Sequence, residues 1–153
     1  MFSSSQAPVI YLSMSDSSHP LSAFSSFGFD LDDAHWSSVA HYFHASKFED
    51  AEIRSQIKAA QSPHEAEKIA KKHKRKIKKD WRSTERILMT RAIYVRCRTH
   101  QSVASVLLDT GDIKIIENSQ YDYYWGCGRD LRGKNNFGKV LMEVREKLRE
   151  LTR

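Results

Sequence analysis

Cysteine is scarce in this sequence: Cys97 and Cys127 are the only two among 153 residues. Two thiols are too few for a disulfide framework and form no paired metal motif, so neither staples nor a cysteine-built zinc site underlies the fold. Such usage suits a reducing compartment, and the expected location is intracellular, cytoplasmic or nuclear. Long apolar runs are missing as well. None approaches the roughly 18 residues that a membrane span needs, and the start MFSSSQAPVIYLSM lacks the basic segment of a secretory signal. No membrane partner is expected. No internal repeat and no domain boundary is visible either. A chain of this length buries roughly 68–70% of the surface its unfolded form exposes, enough for one core. Residues 1–153 are therefore read as a single domain, expected to be monomeric.

What is abundant is positive charge, and it is local. The net charge is +6, and the stretch KKHKRKIKK (71–79) accounts for all of that excess. Two readings stand. Glu65 and Glu67 near the start of a helix with lysines at its end is the arrangement the helix dipole favours, which makes the run a solvated helix terminus. The same run, with Lys72, Lys74 and Arg75 at its centre, also suits contact with a nucleic-acid backbone.

Along the chain, PVIYLSM (8–14) alternates as a strand does and SDSSHP reads as a turn. A short extended piece is expected at FGFDL before an Asp32-Asp33 turn. From Trp36 the spacing becomes helical, with Trp36, Val39 or Ala40, Phe43 and Lys47 on one face, and EDAEIRSQIKAAQ continues as helix. SPHEAEKIAKKHKRKIKK carries a full start signal: Ser62 as N-cap, Pro63 at the first helical position, Glu65 closing a capping box. Helices are expected through STERILMTRAIYVRC, opened by Ser or Thr, and through QSVASVLLDTG, stopped by Gly111. DIKIIENS alternates as a strand, and a loop rich in glycine and aromatics leads into a last amphipathic helix, FGKVLMEVREKLREL. The sum is an α+β class: a compact, mainly helical domain with two or three short strands.

Three groups of residues could carry chemistry. Positions 40 and 47 lie nearly two helical turns apart, about 10 Å along the axis, so long side chains at both could reach one small ligand. Lys47, flanked by Phe43 and Phe48, is either a desolvated amine able to form a Schiff base or a lysine running past a core phenylalanine to water. His41 and His44 stand three apart, but without a third ligand they point to packing or hydrogen bonding, not to a metal. The loop DYYWGCGRDLRGKNNFG is neither a Walker nor a Rossmann pattern. Gly126, Gly128 and Gly133 would let backbone amides approach a ligand, the helix start near Asn135 would favour an anion, and Tyr124 and Trp125 offer flat faces to a base. A surface loop around one buried tryptophan is the plainer alternative.

Several of these stretches, in this order and spacing, resemble one family. AFSSF (23–27), W-x-x-V-x-HYF-x-A-x-KF (36–48), Asp80-Trp81 followed by LMTRAIYVR, LLDTGDIKIIENS, D-x-x-WG-x-G (122–128) and G-x-N-x-F-G-x-x-LM (133–142) are similar to the NADAR, or YbiA-like, domain. The resemblance runs from about residue 9 to 150. It implies a compact, largely helical α+β fold and N-glycosidase activity with no metal or cofactor. Some members act on phosphorylated riboflavin-pathway intermediates. Others remove ADP-ribose from guanine bases, either as antitoxins to a DNA ADP-ribosyltransferase or as stand-alone enzymes.

One departure matters most. Where the family reads Glu-His-Tyr-Phe, this chain reads Ala40-His41-Tyr42-Phe43, so the carboxylate usually taken as the acid/base is absent. The resemblance thus implies an inactivated variant, either a degenerate member or one whose glutamate was exchanged for alanine, that can bind without turning over. Ser26, Ser37, His44 and Phe137 are milder departures, two of which, Ser26 and His44, bear on ligand hydrogen bonding. The expected activity is removal of ADP-ribose from guanine in nucleic acid, with riboflavin-pathway amines or non-catalytic ADP-ribose binding as alternatives. Lys47 would hold a ribose oxygen or attack the anomeric carbon, and Asp122 would anchor ribose hydroxyls or steady the cationic sugar. Trp81 and Trp125 would sandwich a base. Gly126, Asn135 and the turn around them would take the diphosphate, and Phe27, His41, Phe43 and His44 would touch substrate. Lys72, Lys74 and Arg75 would meet the nucleic acid.

Overall fold

The computed structural model describes residues 7–152; the first residues of the serine-rich start lie outside them. Strand β1 (Val9–Leu12) is followed by a hairpin of β2 (Phe29–Leu31) and β3 (Ala34–Trp36). Helices α1 (Val39–Ala45), α2 (Ala51–Lys58) and α3 (Pro63–Lys72) come next, then a 3-10 turn at Lys74–Lys76. Helix α4 (Trp81–Thr99), α5 (Gln101–Asp109), strand β4 (Lys114–Glu117) and α6 (Asn136–Leu151) complete the order. None of the described helices is long and apolar enough to cross a membrane.

The hairpin replaces the helical start expected at Trp36. Asp32 and Asp33 both take positive φ, 55° and 61°, the geometry of a two-residue turn that matches strand twist. Phe29 therefore pairs with Trp36 and Leu31 with Ala34, and Trp36 Nε1 donates to Leu31 O at 2.9 Å. Tyr42 ties this hairpin to the helices: its hydroxyl donates to Asp32 Oδ2 at 2.8 Å, and Arg91 Nη2 donates to Asp32 Oδ1 at 2.8 Å. Burial, and then the Asp32 carboxylate, push the Tyr42 phenol up to about 12.

Helix α1 begins where Ser38 caps it, accepting from the His41 amide at 3.2 Å. All seven of its residues are buried, because α2, α3 and α4 all pack around it. It stops at Ala45, so Lys47 stands in the closing turn, its amide on His44 O at 3.3 Å, and not on the helix itself. Asp50 caps a separate α2 through the amides of Glu52 and Ile53. Ser62 accepts from the Glu65 amide at 3.1 Å with Pro63 in the first turn. Helix α4 opens at Trp81, ahead of the Ser-Thr pair, and Asp80 makes no side-chain cap bond.

Strands β1 and β4 pair in parallel, Val9 with Lys114 through Leu12 with Glu117, and α6 packs on β4. With the hairpin this makes four strands in two sheets of two among the described residues, where two or three were expected. One apolar cluster runs through the whole, with Phe29, Phe48, Met89, Ile93, Leu107, Ile115, Phe137 and Leu141 all at 1% exposure or less. Arg96 is also fully buried. Its guanidinium donates to the carbonyls of Leu21 and Ser22 and to Ser25 Oγ, which fixes the 21–25 loop against α4. Burial pulls that guanidinium down to about 10.

Candidate active site

A half-enclosed cavity of about 280 Å³ lies where α1, α3, α4 and the loops after β1 and β4 meet. Ala40, Phe43, His44 and Lys47 form one wall, and Glu67 of α3 with Glu85 and Met89 of α4 form the next. Met14, Phe24, Ser119, Asp122 and Trp125 close it from the loops. The aromatic helix and the late turn-rich loop do enclose one space.

Burial sets the charge state of its groups. The Lys47 ammonium is pulled below the usual lysine range, first by burial; Glu85 and Glu67 partly oppose this and Lys71 reinforces it. Its Nζ sits 5.3 Å from the centre of the Phe43 ring. Glu85 is pushed above the usual carboxylate range by burial, with Lys47 and Arg82 opposing and Asp122 adding to the shift. His44 is 8% exposed, and burial, then the neighbouring Lys47, His41 and Lys71, hold its imidazole down to about 3. It is neutral at physiological pH, and its Nδ1 has no hydrogen-bond partner among the described residues. Asp122 Oδ1 accepts from the amides of Tyr124 (3.0 Å) and Trp125 (2.7 Å), a turn that fixes where its carboxylate stands.

Of the residues singled out by sequence, Ala40, Phe43, His44, Lys47, Asp122 and Trp125 come together here. The others are placed differently, each for a visible reason. His41 faces away: Nε2 contacts Ala60 O at 3.0 Å and Nδ1 contacts Ser38 Oγ at 2.7 Å, so the ring joins α1 to the segment after α2. Burial lowers its pKa, only partly offset by the Ala60 carbonyl. Phe27 lies edge-on to His100 at 5.2 Å, and Phe24 takes its place in the cavity. Trp81 packs on Phe43 at 5.1 Å, and Phe43 on Trp125 at 5.6 Å. Phe43 fills the gap between the two tryptophans, which cannot sandwich a base.

Nor do the described residues form the expected diphosphate cradle. The amides of Gly133, Lys134, Asn135, Asn136 and Phe137 donate to the carbonyls of Cys127, Tyr123, Gly126, Tyr124 and Trp125, so the start of α6 commits its donors to its own loop. Asn135, left-handed at φ 53°, accepts from the Glu117 amide through Oδ1 (2.8 Å) and donates to Ile115 O through Nδ2 (3.0 Å). Gly126 is required because a Cβ there would collide with Glu117 Oε1. Lys72, Lys74 and Arg75 lie at the end of α3 and on the 3-10 turn, away from the core. That segment is anchored beside the cavity, since the Lys78 amide donates to Lys47 O at 2.8 Å.

Two carboxylates escape the sequence reading. Glu117 is fully buried; it accepts from the Met14 amide (2.8 Å), the Ser119 amide (2.8 Å) and Ser119 Oγ (2.7 Å), pinning two residues of the cavity wall. A signal for it exists: a charged residue at an inward strand position, in step with Ile115. Glu85 gives none, being one polar residue among several at the start of α4.

Residues 2–149 match the NADAR domain. The chain belongs to the NADAR family. An N-glycosidase of Nostoc punctiforme is 40% identical over 133 residues, covering 85% of each chain. The NMR structure of the Escherichia coli protein YbiA superimposes with a TM-score of 0.85 at 32% identity, covering 96% of this chain and 88% of that one. A chloroplastic riboflavin biosynthesis protein of maize is 33% identical over 123 residues, 74% of this chain but 20% of its own length. The helices and short strands of the NADAR fold thus place the cavity at a helix junction, and position 40 of the NADAR motif opens into it. No three His, Cys, Asp or Glu side chains converge as a metal site among the described residues.

Proposed function

We propose that this protein is an N-glycosidase that removes ADP-ribose from guanine bases in nucleic acid. The observation that carries the reading is the convergence of a desolvated lysine, Lys47, with Glu85 and Asp122 in one half-enclosed cavity, beside a basic surface segment. Burial favours the free amine of Lys47, which is the nucleophilic form. Its attack on the anomeric carbon displaces the guanine amino group, which leaves with the bonding pair and takes up a proton. The linked sugar opens to an imine on Lys47, and water then hydrolyses it to free ADP-ribose. Asp122, its carboxylate fixed by two amides, stands by the sugar as positive charge builds, and Trp125 offers a face to the base. Lys72, Lys74 and Arg75 draw in the phosphodiester backbone and hold the diphosphate outside the cavity. The cavity is at the small end of ligand pockets, about 300–1,000 Å³, large enough for the sugar and not for the whole nucleotide.

The test is reduction of the imine. Borohydride added during turnover of an ADP-ribosylated guanine oligonucleotide should leave an ADP-ribosyl adduct on Lys47 and none on the K47M variant. Absence of both adduct and released base would refute the assignment. The same small cavity and the maize relative support a second reading, a phosphorylated riboflavin-pathway amine as substrate. Base release from that amine alone, with the oligonucleotide untouched, would establish it instead. Binding of ADP-ribose without turnover of either substrate, by A40E as by wild type, would mark a reader, and turnover by A40E alone an inactivated enzyme.

A further inference from the structure

The NADAR motif lacks its carboxylate here, because Ala40, 2% exposed, sits on the cavity wall with only a methyl group to offer. Three other carboxylates line the same space, and their surroundings separate them. Glu67 lies 3.8 Å from Lys71, one turn along α3, and is engaged in that ion pair. Asp122 is engaged as well, by the two backbone amides it accepts from. Glu85 is different. Among the described residues no donor hydrogen-bonds to its carboxyl and no cation lies within ion-pairing distance, although it is partly buried. It reaches the cavity from α4, opposite α1, sharing the space with Ala40 and Lys47.

We propose that Glu85 is the proton-carrying carboxyl of this site and supplies the function for which position 40 has no group. The inference rests on the N-glycosidase reading above. The carboxyl O–H gives its proton to the departing base nitrogen as the sugar–nitrogen bond breaks and the bonding pair leaves with that nitrogen. The Glu85 carboxylate then takes the proton released at Nζ as the new carbon–nitrogen bond to Lys47 forms, so the carboxyl is regenerated. A carboxyl held above its usual range by burial is moved toward the protonated form that a general acid needs. Lys47 and Glu85 are then matched, each moved by burial toward its neutral form.

Four proteins test this: wild type, E85Q, A40E and A40E/E85Q, in single turnover on the ADP-ribosylated oligonucleotide, with ADP-ribose affinity measured by calorimetry. Glu85 makes no hydrogen bond that glutamine would break, so E85Q should fold with an unchanged melting temperature. Base release should fall about 100- to 10,000-fold in E85Q, with ADP-ribose affinity preserved. Wild type should lose rate with rising pH as the carboxyl gives up its proton, that loss should vanish in E85Q, and A40E/E85Q should recover at least part of the rate. A wild type that turns over while E85Q keeps pace overturns this proposal alone and leaves the N-glycosidase reading standing. A wild type that is inert while A40E is active also overturns it, showing an inactivated family member. A wild type and A40E that neither turn over nor bind ADP-ribose overturn both.

Discussion

Replacing His44 with glutamine, a neutral side chain of similar reach, should change how stability responds to acid. The imidazole is buried, has an unpartnered Nδ1 among the described residues and is surrounded by Lys47, His41 and Lys71. Its folded pKa of about 3 lies far below the ordinary value of 6.5. Between those limits the unfolded chain binds a proton at this site and the folded chain does not. The neutral ring's contribution is complete above pH 6.5 and is lost progressively as pH falls toward 3. Each pH unit in that window is worth about 1.4 kcal/mol. At pH 5 the loss is therefore about 2 kcal/mol, and any folded value below about 4 gives nearly the same figure. Urea denaturation of wild type and H44Q at about pH 7.5 and about pH 5 isolates it, because the other titrating groups are shared and cancel in the difference. Wild type should lose about 2 kcal/mol more than H44Q between the two conditions, or about 4–8 °C in Tm for a chain of this size. Parallel losses in the two proteins would show that the folded imidazole takes up the proton, and the account of its burial would be wrong.

Asn135→Ala should destabilise the fold by about 3 kcal/mol, since it leaves the buried Glu117 amide and Ile115 carbonyl unpaired and puts a Cβ residue without a compensating bond at positive φ. N135G, free of the backbone cost, should regain about 1 kcal/mol of that in chemical denaturation. Arg96→Met should cost about 3 kcal/mol by freeing the carbonyls of Leu21 and Ser22. It should also weaken ADP-ribose binding in calorimetry, because Ala23 and Phe24 of the loop it anchors line the cavity. Reversing Lys72, Lys74 and Arg75 to glutamate should lower affinity for an oligonucleotide substrate and flatten its salt dependence, by about 0.9 in log–log slope for each phosphate no longer neutralised. Turnover of free ADP-ribosyl guanosine, which offers these residues its diphosphate but no phosphodiester backbone, should fall less than turnover of the oligonucleotide.

The parts of this fold that are legible in the sequence are those decided locally. Ser62-Pro63 starts α3 because a hydroxyl cap and a fixed φ act within one turn, and DIKIIE can be read as β4 from its alternation, although its partner β1 lies far away in the chain. Trp36 reads as the start of a helix because its spacing to Ala40 and Phe43 fits one, and only the paired left-handed aspartates commit Ala34–Trp36 to a hairpin. The late loop misleads in a more instructive way. Glycines and a helix start do make amides available to an anion, but Gly126 and Gly133 are there for close approach of the chain to itself. The amides from Gly133 to Phe137 turn inward onto residues 123–127. Direction of a donor is a tertiary fact with no period. The cavity, by contrast, can be anticipated as a meeting of two motifs, although Glu85 cannot, because its neighbours along α4 are equally polar and only the docking of α4 against α1 selects it.

The charge balance of the cavity leads to a last consequence for position 40. Among the described residues Lys47 is the one cation on its walls, since His44 is held neutral, and it faces Glu67, Glu85 and Asp122. Glu85 and Glu67 favour the ammonium, yet burial still prevails and Lys47 remains lowered. Introducing a fourth carboxylate by A40E, on the same wall as Lys47, should push its titration back up by about one pH unit, as an opposite charge within about 4–6 Å does. The pH at which borohydride trapping of the imine reaches half its maximum should rise by that amount in A40E relative to wild type. Glu85, meeting a further like charge, should titrate higher as well, so the acid limb and the amine limb move together and the optimum shifts upward without narrowing. Identical trapping midpoints in the two proteins would mean that position 40 does not sense Lys47. A carboxylate there would then act through substrate alone.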